Sequence, residues 1–137
     1  MQELRGNIKQ VDLLPIQIIT STATGTGSAV DMTPSGGDRF DAMLVKVAIG
    51  NIAGDVAPTS VKVKIQESDS STFGSGVTTA EGGDEVTVSA DTVYTFQVKR
   101  AKRYTRVIAT VTGGTNPTVE IHVSAILCNW AKPFPLL

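Results

Sequence analysis

The sequence predicts an all-β protein: an antiparallel β-sandwich, jelly-roll-like, with about eight short strands, an extended N-terminal arm and a C-terminal tail. Three observations carry this. Val, Ile and Thr supply 43 of the 137 residues, and β-branched side chains fit a pleated, half-buried surface while losing rotamer freedom in a helix. No stretch of Ala, Leu, Glu and Lys recurs at helical spacing. Short runs of alternating apolar and polar residues are separated by Gly-, Ser- and Pro-rich turns, the pattern of a sandwich rather than of a parallel α/β fold.

A chain of 137 residues has the size of one domain and buries about two thirds of its unfolded surface on folding. The expected organisation is an arm over residues 1–14, a sandwich over 15–130 and a tail over 131–137. The arm shows no clean period. The first strand is expected to open within "LLPIQIIT", because Pro15 has no N–H to give a ladder and suits a strand's first residue. "STATGTGSAVDM" reads as a hairpin or an extended edge, and "TPSGGD" as a turn.

"RFDAMLVKVAIG" is the longest strand candidate, with Met43, Val45, Val47 and Ile49 on one face. "NIAGDVAP" is a loop. In "TSVKVKIQES", Val61, Val63 and Ile65 point inward and Lys62, Lys64 and Gln66 point to water. "DSSTFGSG" is a polar turn, followed by weak strand signals in "VTTA" and "EVTVSA" around "EGGD". "TVYTFQVK" sets Tyr94, Phe96 and Val98 on one face. "RYTRVIATV" follows a short basic turn, and "TGGTNP" leads to "TVEIHVSAILCNW", with Val119, Ile121, Val123, Ala125 and Leu127 inward.

The tail differs from everything before it. Pro133 and Pro135 prevent ordinary strand pairing and favour an extended, polyproline-like path. Trp130, Phe134, Leu136 and Leu137 suit a contact better than a solvated end. Such a tail folds back on its own sandwich or docks on another subunit, and the sequence leaves both open.

Catalytic chemistry finds little support. Glu120, His122 and Ser124 share one strand face, but residues two apart on a strand stand about 6.5 Å apart and project in parallel. His122 is the chain's one histidine and Cys128 its one cysteine, so the usual zinc ligand types are missing. No phosphate-binding glycine motif occurs. "ESDSSTFGSG" carries Glu67 and Asp69 without the ligand spacing of a calcium loop, and reads as a solvated turn. The expectation is a non-enzyme with no cofactor, no metal and no small-molecule substrate. Cys128 cannot form an intrachain disulfide. Charges at Glu3, Arg5, Lys9 and Asp12 interrupt any leader-like apolar run, and no window reaches the length of a membrane span. A soluble protein made in a cytoplasm is expected.

Charge is more informative. Residues 67–91 hold six acids (Glu67, Asp69, Glu81, Asp84, Glu85, Asp91) and no Lys or Arg. Five of the eight positions 99–106 are basic: Lys99, Arg100, Lys102, Arg103 and Arg106. With a net charge of −1 and Tyr104 the one aromatic nearby, the run is a poor nucleic-acid platform. Two readings stand. The acidic and basic halves pair internally across neighbouring strands, or they present complementary patches that steer assembly. Arg103 and Arg106, three apart, point to opposite faces of a regular strand.

The segment "YTFQVKRAKRYTRVIATVTGGTNPTVEIHVSAIL" resembles a pattern in small proteins encoded beside the major capsid gene of many tailed bacteriophages. In these a strand ends in a basic turn, a "KRYxRV" element opens the next strand, and a Gly/Thr/Pro turn precedes a strand ending in small apolar residues. "VKVKIQESDSSTFGSGV" resembles the same family's strand and acidic turn. The likeness spans about residues 40–128. It implies a head decoration, or cement, protein that binds the outside of the assembled capsid and bridges capsomers against internal DNA pressure. The implied partners are the major capsid protein and sister copies, in a dimer or trimer, with no nucleic acid and no membrane. The implied location is the outer surface of the virion, after a stay in the host cytoplasm during assembly. Contact candidates are Lys99, Arg100, Lys102, Arg103 and Arg106 for an acidic surface, and Trp130, Phe134, Leu136 and Leu137 as apolar anchors. The alternative is a carbohydrate- or receptor-binding sandwich of a phage tail or fibre, which usually displays clustered exposed aromatics.

Overall fold

Period-two alternation builds both sheets. The structure, a computed structural model, describes residues 8–20, 24–33 and 40–128. Among these lie ten strand segments: β1 (Ile8–Ile19), β2 (Thr24–Thr26), β3 (Val30–Asp31), β4 (Ala42–Ala53), β5 (Ser60–Ser68), β6 (Thr78–Thr79), β7 (Val86–Thr87), β8 (Thr92–Lys99), β9 (Tyr104–Thr112) and β10 (Thr118–Cys128).

The first sheet runs β1-β10-β4-β8 and the second β2-β9-β5-β6, with β3 also on β9 and β7 also on β5. All the pairings are antiparallel. Because β2 and β3 share one side of β9, and β6 and β7 one side of β5, the ten segments fill eight strand positions. Early strands pair with late ones in order: β1 with β10, β2/β3 with β9, β4 with β8, β5 with β6/β7. That is the double Greek key of a jelly roll. Within "STATGTGSAVDM", Thr24–Thr26 and Val30–Asp31 therefore supply a broken edge on β9 rather than a hairpin of their own.

The core lies between the sheets. Met43, Val45, Val47 and Ile49 of β4 and Val119, Ile121, Val123, Ala125 and Leu127 of β10 face Val61, Val63 and Ile65 of β5 and Val107, Ala109 and Val111 of β9. Alternation in the sequence predicts the inward members of β4, β5 and β10; the inward set of β9 comes from the structure. Tyr94 and Phe96 pack against it partly buried, and Val98 is fully enclosed.

Two expectations need correction. Residues 8–14, assigned to the arm, form the first half of β1, and Pro15 sits inside that strand instead of opening it. β1 is an edge strand, and its register against β10 shifts between Asp12 and Leu14 and again between Leu14 and Gln17. Edges and bulges are where a strand tolerates proline. The bulge also lets the neighbours Leu13 and Leu14 both enter the core. Secondly, Glu67 does not belong to a solvated turn: it is 4 % exposed and is the last residue but one of β5. Residues 1–7 of the arm, Trp130 and the tail 131–137 lie outside the described residues.

Candidate functional site

One row of residues across the first sheet defines the end of the molecule that matters here. Lys99 pairs with Ala42, Ala42 with Cys128, and Cys128 with Ile8. Thus the last residues of β8 and β10 and the first of β4 and β1 lie side by side. The basic turn after β8, the point where the chain leaves β10, and the point where it enters β1 share one rim.

Main-chain hydrogen bonds lock this rim. The Asp41 N–H donates to the Cys128 carbonyl at 3.0 Å, and the Arg100 N–H donates to the Asp41 carbonyl at 3.0 Å. Arg100 adds its side chain: Nε donates to the Phe40 carbonyl at 2.5 Å and Nη2 to Asp41 Oδ1 at 3.4 Å.

The rest of the basic run is held by carboxylates from distant strands. Glu67 Oε2 accepts from the N–H groups of Ala101 at 2.8 Å and Lys102 at 3.2 Å, and Asp69 Oδ1 accepts from the Arg103 N–H at 3.1 Å. Two acids at the end of β5 thus cap the turn between β8 and β9. Lys102 Nζ reaches the Gly76 carbonyl. Arg103 donates to both oxygens of Asp31, Nε at 3.0 Å and Nη2 at 2.9 Å. Bonding to this guanidinium holds the Asp31 carboxyl below the usual aspartate value, and the same bonds raise Arg103.

Arg106 sits opposite Gln66 in the β5–β9 ladder. Its Nε and Nη2 both donate to Gln66 Oε1, at 3.1 and 2.9 Å. The guanidinium also lies over the Phe73 ring, 4.2 Å from the centroid, a stacking that desolvated arginines favour.

The structure therefore brings Lys99, Arg100, Lys102 and Arg103 together on the rim and sets Arg106 on the outer face of the second sheet. Glu67, Asp69, Asp31 and Asp41 stand among them, and Lys99 is exposed. Of the acidic segment, Glu67 and Asp69 make the internal pairing; Glu85 instead meets Lys62 at 3.3 Å. Trp130, Phe134, Leu136 and Leu137 lie outside the described residues. Sequence reasoning missed Glu67 as a capping group, although continuing the Val61, Val63, Ile65 alternation by two places predicts its inward direction. It also missed Asp31 and Asp41, whose roles depend on strand order.

The His122 face has a different geometry. His122 Nε2 lies 2.9 Å from Asp12 Oδ1 on the neighbouring strand, and Glu120 Oε2 accepts from the Asn51 N–H at 3.2 Å. Among the described residues, no three His, Cys, Asp or Glu side chains gather as a metal site would require.

No family model matches the chain, and no curated protein matches it. Among solved structures, it is similar to the crystal structure of PirA at 12 % identity, with 94 % of this chain and 99 % of that chain covered and a TM-score of 0.45. Likeness at that level says nothing about what either chain binds.

Proposed function

We propose that this chain is a head decoration, or cement, protein of a tailed bacteriophage, binding the outer surface of the assembled capsid and bridging neighbouring capsomers. The observation that carries the reading is the row Lys99–Ala42–Cys128–Ile8. It gathers the basic turn and both chain exits at one end of a rigid sandwich, as a one-ended clamp requires. The resemblance of residues 40–128 to capsid-associated proteins supplies the partner class.

In this account the rim works through shape as much as charge. Its arginines, Arg100 and Arg103, are held by Asp41 and Asp31, which lowers the entropy lost when a partner meets a pre-ordered surface. Lys99 offers an exposed cation, and Trp130, Phe134, Leu136 and Leu137 anchor the contact. Repetition over a symmetric shell gives avidity from modest single interfaces. The large exposed hydrophobics among the described residues are aliphatic (Ile16, Ile18, Leu44, Val56, Val93 and Ile126), whereas a sugar-stacking face would use aromatics; this favours the protein-binding reading over the glycan one.

Removing residues 131–137 tests it. The shortened chain is expected to keep its thermal transition and lose co-sedimentation with expanded capsids. Undiminished co-sedimentation would remove the tail from the contact.

A further inference from the structure

The outer face of the β1-β10-β4-β8 sheet carries an open groove of about 380 Å³. Its lining follows from register. Gln10, Ile126 and Leu44 lie side by side on three successive strands, and Ser124, Lys46 and Thr95 form the next row. His122 and Ala48 lie beyond them. Leu44 and Ile126, direct partners in the ladder, are 39 % and 42 % exposed. Ile16, 83 % exposed, sits in the edge-strand bulge opposite Val123 and Ile121, outside the lining of the groove. Aliphatic side chains gathered on one sheet face mark a contact.

We propose that the occupant is the chain's own segment 129–137, laid back over this groove from its exit at Cys128. The exit is in the right place. Cys128 lies two residues past Ile126, on the same side of β10, so the segment leaves at the groove's near end. Its composition matches the lining, with Trp130, Phe134, Leu136 and Leu137 to cover Leu44 and Ile126.

The reach also fits. From the Cys128 row to the His122 row is six strand positions, about 20 Å at ~3.3 Å each. Nine residues in an extended, proline-rich path span about 28 Å at ~3.1 Å each. That leaves two or three residues to reverse direction and enough to end near His122.

Pro133 and Pro135 argue for a face rather than an edge. Each removes a donor that strand addition would use, while a polyproline-like path keeps its backbone solvated and packs through side chains.

This inference concerns the free chain and stands apart from the capsid reading. Trp130 is the one tryptophan in the sequence, so intrinsic fluorescence of the full chain reports on the segment directly. The expected result is emission to the blue of free tryptophan, resistant to acrylamide and independent of protein concentration. Leu44→Lys and Ile126→Lys, both at exposed positions, are each expected to shift emission to the red and raise quenching several-fold, with the thermal transition retained. Val56→Lys, at the far end of the sandwich, is expected to change neither. As a second readout, Phe134→Asp in the full chain is expected to move the backbone amide resonances of Leu44, Ala48 and Ile126 and leave that of Val56 in place. Solvent-like Trp130 emission in the unaltered chain, groove variants without effect, or burial that grows with protein concentration would each overturn the proposal.

Discussion

Arg100 is joined to Asp41 twice: its backbone N–H donates to the Asp41 carbonyl at 3.0 Å, and its guanidinium meets Asp41 Oδ1 at 3.4 Å. Asp41 in turn donates its own N–H to the Cys128 carbonyl. The basic turn and the C-terminal exit are thereby fixed through one residue. Both side chains of the ion pair are well covered, at 11 % and 16 % exposed. Arg100→Ala is expected to destabilise the fold by about 1.5–3 kcal/mol, the range for hydrogen bonds to charged groups, read by urea titration. No change in the midpoint would show that the backbone bond alone holds the rim.

Glu67 is the second tie. Its carboxylate satisfies two N–H groups of the turn from a nearly buried position. Glu67→Ala is expected to lose about 1–3 kcal/mol, because donors are left without their acceptor. Glu67→Gln retains one acceptor oxygen and is expected to lose less. Amide exchange at Ala101 and Lys102 should quicken in the alanine variant before the sandwich strands are affected.

The Asp31–Arg103 pair sets a pH dependence. Asp31 is depressed in the folded chain, chiefly by hydrogen bonding to Arg103. A depressed carboxyl contributes stability that is present above its unfolded value and is lost as pH falls through the folded one. Asp31→Asn is therefore expected to be less stable than the parent at neutral pH, and the two should converge below the ordinary aspartate range. A gap that persists unchanged in acid would mean the carboxylate charge is not the source.

Thr105 offers a change in the opposite direction. It is fully buried in β9, and its hydroxyl has no hydrogen-bond partner among the described residues. Thr105→Val keeps the shape and the β-branch while removing a buried polar atom. A gain of about 1 kcal/mol or more is expected, measured by calorimetry. A loss would reveal a partner for the hydroxyl.

Much of the fold was legible in the sequence because its strands alternate cleanly. The inward set from Met43 to Ile49 and from Val119 to Leu127 follows from period two, and turn chemistry separates the elements. Pro15 misled because proline's ban on central strands says nothing about edges, and edge status depends on strand order. The broken edges β2/β3 and β6/β7 carry only two or three paired residues each, too few for a period to register. The basic run was visible as charge, but its partners Asp31, Asp41 and Glu67 lie 34 to 72 residues away along the chain. The groove is built from rows across strands, which no single stretch of sequence displays.

The central claim of the proposal, a capsid clamp whose rim is the Lys99–Ala42–Cys128–Ile8 row, is tested most directly by a reconstruction of the mature phage head on which that proposal places the chain. The account predicts sandwich density on the outer shell between capsomers, with that rim turned toward the major capsid protein. Heads without this density, or a sandwich seated by its opposite end near Val56, would contradict it.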